Sequence, residues 1–227
     1  AHVPSRSTLA AFRAEDFPHP FAALADLLVW TRPWRTLFDD SHPPFWRWFE
    51  GGELNASANV LDRHLPAAHG RVAYHWIPEE ESEAPRSLTY GELLERVETL
   101  AAVLRDDFGV RPGDRVTIHL PMSLDLPVAM LACARLGAIH SVVFSGFSAR
   151  ACAERILDSG SRLLITADVY RRGGAILDHK AKADETDALV TEGGGRLDAV
   201  LVFTRDAERY ASPTPLRSGR DHDLNPL

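Results

Sequence analysis

The chain has 227 residues, 45% of them hydrophobic and 25% charged, with a formal net charge of −7 at pH 7. A chain of this length buries roughly 70% of its unfolded surface, enough for a core without metals or disulfides, and the composition is that of a globular protein and not a disordered one. The acidic balance argues against a general nucleic-acid binder, which carries a basic excess, and no apolar run approaches the ~20 residues of a membrane span.

The first 66 residues hold four of the five tryptophans, Trp30, Trp34, Trp46 and Trp48, among many Pro and His residues with little periodicity. Residues 21–30 have helical spacing. Residues 59–65 read as a short helix capped by Ser57 or Asn59. The rest reads as irregular chain, an arm that buries its aromatics by docking on a larger body. The beginning of the sequence lacks the apolar stretch of a secretory signal, so a cytoplasmic protein is expected. Cys133 and Cys152 lie in apolar helical patterns, away from any CxxC or ligand-spaced His, and read as small core residues.

From residue 67 the pattern changes. Residues 72–77 alternate and predict a strand. Residues 79–86 are acidic and read as an exposed hairpin loop leading to a short strand at 87–90. Thr89 and Glu92 form a capping box, which opens a helix with an apolar stripe of Leu93, Leu94, Val97, Leu100, Ala101 and Leu104. Further strands are predicted at 115–120, 138–144, 161–167 and 199–203. Helices are predicted at 125–136, ended by Gly137, at 149–158, capped by Ser148, and around 178–189. Gly193, Gly194 and Gly195 read as a flexible loop. Strands separated by helices of this length mean βαβ units. The fold class is therefore α/β, with a mostly parallel, doubly wound sheet. The tail from Thr204, with Pro213, Pro215, Gly219 and Pro226, is expected to add no element to that sheet.

No GxGxxG follows a strand, and no GxxxxGK[ST], HExxH or GxSxG occurs. The ten histidines are scattered. One constellation stands out. Phe144, Gly146 and Phe147 follow the carboxyl end of one predicted strand, and Arg171, Arg172, Gly173 and Gly174 follow that of another. Ligands of open α/β sheets bind at those ends. An aromatic face beside guanidiniums suits a nucleotide, with the base stacked on the ring and forked hydrogen bonds to phosphate. Core phenylalanines and solvated arginines fit the same pattern, which leaves both readings open.

Longer blocks carry a resemblance. Residues 48–55 (WFEGGELN) and 59–65 (NVLDRHL) resemble the N-terminal region of AMP-forming acetyl-CoA synthetases. Residues 88–93 (LTYGEL) resemble the first motif of the wider adenylate-forming superfamily. Residues 120–122 (LPM) and 130–144 (MLACARLGAIHSVVF) resemble its second motif in the acetate-type version. Residues 165–168, 170–173, 178–180 and 216–221 continue the resemblance, which covers roughly residues 12–221 in order.

The resemblance implies an enzyme that activates acetate with ATP and Mg²⁺ to an acyl-adenylate, releases pyrophosphate and passes the acyl group to CoA. It implies a large domain of stacked α/β subdomains and a small, rotating C-terminal domain. Residues 1–66 would be the N-terminal arm and residues 67–227 the first α/β subdomain, stopping before the phosphate loop. That loop, the ribose-binding Asp and the adenylation Lys are not found in this sequence. No catalytic residue and no metal ligand are therefore assigned, and the chain alone is expected to be inactive. ATP, CoA and Mg²⁺ belong to the full-length enzyme. The family's CoA site does map, onto Phe144, Gly146 and Arg171, with Arg172 as the substitute for a second basic position that falls on Gly174. The implied partners are acetate, ATP and CoA, with no nucleic acid and no membrane. The alternative is a split-gene or stand-alone module that binds the CoA nucleotide or docks a partner chain carrying the rest of the enzyme.

Overall fold

The structure, a computed structural model, describes residues 13–204 and 213–225. The chain divides into two units between Ala67 and Ala68.

In the first unit, α1 (Pro20–Ala25) starts with Pro at its first turn, where a missing N–H costs nothing. It is shorter than the helix expected at 21–30. The Asn59 side chain accepts from the Val29 N–H (2.8 Å) and donates to the Val29 carbonyl (2.9 Å), so the chain beyond α1 is held by a side chain and not by a continuing helix. Strands β1 (Thr36–Asp39) and β2 (Arg47–Glu50) pair antiparallel, a hairpin where irregular chain was expected. Helix α2 (Ala56–Val60) is capped by Asn55, which accepts from the Ala58 N–H at 3.0 Å. The cap is thus neither Ser57 nor Asn59, both of which lie inside the helix. The aromatics pack among themselves. Trp48 lies 4.5 Å from Phe38 and 4.8 Å from Phe21, and Phe49 lies 5.6 Å from Trp30 and 6.0 Å from Trp34. Trp46 remains 56% exposed.

The second unit opens with β3 (Val72–Trp76) and β4 (Arg86–Thr89), an antiparallel ribbon. The acidic segment between them is not wholly exposed. Glu83 is 5% exposed and pairs with Arg86 at 3.2 Å. Helix α3 (Tyr90–Asp106) carries the expected capping box, and its apolar stripe is buried. Then follow β5 (Arg115–His119), α4 (Asp125–Leu136), β6 (Ile139–Val142), α5 (Ala149–Ser159) and β7 (Leu163–Ala167). Gly137, at φ 72°, ends α4, and Ser148 caps α5 by accepting from the Ala151 N–H. A hairpin of β8 (Val169–Arg172) and β9 (Ala175–Asp178) precedes α6 (His179–Glu192), β10 (Ala199–Phe203) and β11 (Asp221–Asp223).

The main sheet has the order β11-β10-β7-β5-β6, and every neighbouring pair is parallel. From β5 the chain winds to one edge, and from β6 through β7 to β10 it winds to the other. With right-handed crossovers this puts α4 on one face and α5 and α6 on the opposite face. Accordingly α3 packs on α4, and α5 packs on α6. Strands β7 and β10 are buried along their whole length.

The tail departs from expectation. It adds β11 beside β10, with Leu201 opposite His222. Charge matching explains how so polar a segment enters the sheet. The fully buried Lys180 ammonium lies 2.8 Å from Asp221 and also pairs with Asp184. Arg220 reaches Asp221 at 2.6 Å and Asp187 at 2.7 Å. Burial works against the Asp221 carboxylate, but Arg220, the Arg217 N–H and Lys180 hold its pKa below the ordinary value.

Candidate functional site

The winding of the sheet reverses between β5 and β7, and open α/β sheets bind ligands outside the carboxyl ends of strands at such a point. Here those ends border a cleft of about 290 Å³, lined among others by Trp76, Met122, Phe144, Tyr170 and Arg172.

The structure brings together three of the four residues singled out in the sequence. Phe144 is half exposed, and the Arg172 guanidinium lies 5.6 Å from its ring centroid. Gly146 sits tightly against both. A Cβ at this position would overlap Arg172 Nη1 and approach Phe144 Cε1 to 2.5 Å. A second pair adjoins the first: Phe147 meets Phe144 edge-on at 5.7 Å, and the Arg155 guanidinium lies 4.9 Å from the Phe147 ring.

Arg171 is turned elsewhere. Successive residues of a strand face opposite sides, so Arg171 and Arg172 on β8, though both line the cleft, reach it from different sides. Arg171 borders the cleft on the side of the β3–β4 segment. There it is ion-paired with Glu80 and donates to the Gly174 carbonyl at 3.3 Å. The Gly174 N–H in turn donates to Glu79 at 3.1 Å. Gly173 and Gly174, at φ 60° and 77°, form the two-residue turn of the β8–β9 hairpin, for which positive φ at both positions is the favoured geometry. The Arg-Arg-Gly-Gly-Ala run carried that signal.

Beneath the cleft lie groups that the sequence reading did not single out. His119 ends β5 and His179 begins α6. Both are fully buried, with ring centroids 4.4 Å apart. His179 Nε2 lies 2.9 Å from the His119 carbonyl, and Tyr170 meets the His179 ring edge-on at 5.0 Å. Burial pushes His119 down to about 3, aided by His179 and Lys182, and pushes His179 down to about 4. Both imidazoles are therefore neutral at neutral pH. Lys182 donates to the Ser145 carbonyl at 2.9 Å, and the Tyr170 hydroxyl donates to the same oxygen at 3.4 Å. Burial, and then the charge of Arg172, lowers the Lys182 pKa.

An exposed ring with a cation at its edge can hold a planar heteroaromatic group and an anion together. Among the described residues no group of three or more His, Cys, Asp or Glu side chains could hold a metal ion, and no helix is long and apolar enough to cross a membrane.

Fold and cleft together define an open, doubly wound α/β unit of the ligand-binding kind. Residues 61–223 match the family model described as AMP-binding enzyme, and residues 9–60 match the one described as acetyl-coenzyme A synthetase N-terminus. The chain belongs to the AMP-binding enzyme family, and the resemblance carried by its motifs is borne out. An acetyl-coenzyme A synthetase of Burkholderia lata is 46% identical over 205 residues, covering 89% of this chain and 30% of that protein. One from Burkholderia mallei is 45% identical over 207 residues, covering 88% and 31%. The solved acetoacetyl-CoA synthetase from Streptomyces lividans superposes with a TM-score of 0.75 at 28% identity, covering 90% of this chain and 29% of that one. The chain thus spans under a third of the length of these relatives.

Proposed function

We propose that the chain is the first part of an AMP-forming acetate–CoA ligase and forms part of its CoA-nucleotide site. The complete enzyme joins acetate to ATP, giving acetyl-adenylate and pyrophosphate, and the CoA thiol then displaces AMP to give acetyl-CoA. In this reading residues 1–66 are the N-terminal arm, residues 67–227 are the first α/β subdomain of the large domain, and the enzyme acts in the cytoplasm. The groups that handle the ATP phosphates and Mg²⁺ lie outside these residues, so no adenylation step is assigned to them.

Within the site, Phe144 stacks the adenine, Gly146 lets the ring lie close to the backbone, and Arg172 meets the 3′-phosphate. Arg171, paired with Glu80, is the reserve cation. The juxtaposition of Phe144 and Arg172 in the cleft, with Gly146 packed against both, in a chain 46% identical to an acetyl-coenzyme A synthetase carries this reading. A charge-assisted phosphate contact contributes about 1.5–3 kcal/mol and base stacking about 1–3, against several kcal/mol of association entropy. Binding by the chain alone is therefore expected at a Kd on the order of 0.1–1 mM. Titration of the chain with CoA, by calorimetry or ligand-observed NMR, tests it. Saturable binding that weakens in Phe144→Ala supports the site, and no binding up to several millimolar, or binding indifferent to Phe144→Ala, overturns it.

A further inference from the structure

We infer that Lys182 is a positioning residue that, with Tyr170, clamps the Ser145–Gly146 peptide so that the Gly146 N–H is turned to the exposed surface beside Phe144 and Arg172 as a hydrogen-bond donor. The inference deepens the functional reading above: the acceptor it would serve is a ring nitrogen or carbonyl of a heteroaromatic group stacked on Phe144.

The chain has 23 arginines and only two lysines, Lys180 and Lys182, both in the first turn of α6. Two positions apart on a helix, they do not share a face. Lys180 turns into the ion cluster with Asp184 and Asp221. Lys182 turns the other way and, among the described residues, forms no ion pair. Its partly buried ammonium is used on a backbone carbonyl 37 positions away in sequence, that of Ser145. A compact ammonium suits this better than a guanidinium, whose planar fork is made for two parallel acceptors.

That carbonyl is held from two elements: Lys182 of α6 and Tyr170 of β8 both donate to it. A trans peptide is planar, with its C=O and N–H pointing in opposite directions. Fixing the Ser145 oxygen inward therefore fixes the Gly146 N–H outward. Ser145 is buried and Gly146 is exposed, as this requires. The neighbouring Phe147 N–H is used inside the turn, donating to the Phe144 carbonyl at 2.9 Å. Among the described residues the Gly146 N–H has no acceptor. Gly146 is bordered by Arg172 and the edge of the Phe144 ring, the two groups a Cβ at this position would meet. Without the clamp the peptide is free to rotate and turn its carbonyl outward beside Phe144, where an acceptor-rich ring would be repelled.

The scarcity of lysine makes the test direct. In the ligand-free chain, the Ser145 carbonyl-carbon and Gly146 amide-nitrogen NMR shifts should titrate together between about pH 7 and pH 11, at a midpoint below that of an ordinary lysine near 10.4. In Lys182→Met the two signals should be displaced and should lose this titration step, whereas Tyr170→Phe, which removes the other ionisable donor to the same carbonyl, should retain it. CoA binding should weaken about tenfold in Lys182→Met and recover in large part in Lys182→Arg, with melting temperatures close to that of the parent. A buried residue of merely structural importance would lower the melting temperature without this linked titration. Signals of Ser145 and Gly146 that ignore both the Lys182 titration and its replacement would overturn the clamp, as would undiminished CoA affinity in Lys182→Met. Should Lys182→Met not fold, the titration of the parent chain decides. Should the parent not bind CoA, the functional reading fails, and the titration still judges the clamp.

Discussion

The buried imidazole pair makes stability in mild acid a specific expectation. His119 and His179 are fully buried, and their pKa values are pushed down to about 3 and about 4, whereas in the unfolded chain both titrate near 6.5. Groups depressed in the folded state contribute stability that is complete above the unfolded value and lost as pH falls, because the unfolded chain takes up protons that the folded one refuses. Between about pH 7 and pH 5 each histidine removes about 2 kcal/mol, so the pair removes about 4. For a unit of this size that lowers the melting temperature by roughly 8–16 °C. The half-buried His140 is lowered in the same direction by burial and adds to the loss. Thermal melts at a series of pH values, for the parent and for the double variant His119→Phe/His179→Leu, measure the effect. The parent should lose stability steeply below pH 6.5, and the double variant should keep only a shallow dependence. Equal slopes in the two proteins would refute the assignment of the loss to this pair.

Three further outcomes follow from the same geometry. Lys180→Met leaves Asp221 buried with Arg220 as its remaining cation. Breaking one partner from a buried ion cluster should cost about 3 kcal/mol, read as a fall of roughly 6–12 °C in melting temperature and faster amide exchange in β11; an unchanged melt would count against the cluster as the anchor of that strand. Gly146→Ala pushes a methyl against Arg172 and Phe144 at an exposed turn, so stability should change by less than about 1 kcal/mol, while CoA binding should weaken about tenfold; unchanged binding would remove Gly146 from the site. In the presence of acetate, ATP and Mg²⁺, pyrophosphate exchange by the 227-residue chain alone should stay at background, and acetate-dependent exchange by a pure sample would contradict the view that the ATP-phosphate groups lie outside it.

What could be read from the sequence was whatever rests on local chemistry. The Thr89–Glu92 box, Ser148 as a cap and Gly137 as a terminator are short-range devices, and each stands where its residues predicted it. The parallel strands were legible because their apolar runs alternate with helices. Strand β11 was not, since a polar tripeptide is drawn into the sheet by Lys180, about 40 positions earlier, and no local pattern encodes that pairing. The β1–β2 hairpin escaped for a similar reason: its aromatics find their partners in their own unit and show no clean period. At the candidate site Phe144 and Gly146 could be found from their place after a strand. Which of two adjacent arginines joins them depends on strand parity and on Glu80, 91 residues from Arg171. His119, His179 and Lys182 become neighbours only when α6 packs beneath the end of β5, so the support of the cleft was out of reach from sequence alone.

The most direct test of the proposed CoA-nucleotide site compares CoA with dephospho-CoA, which differ only in the 3′-phosphate, on the parent chain, Arg172→Ala and Arg171→Ala. With Arg172 beside Phe144 and Arg171 turned to Glu80, the parent should prefer CoA by about tenfold, the worth of one charge-assisted contact. Arg172→Ala should erase that preference, and Arg171→Ala should retain most of it. Equal affinity for the two ligands in the parent, or a preference that survives Arg172→Ala, would contradict the phosphate contact and with it the assignment of this cleft to the CoA nucleotide.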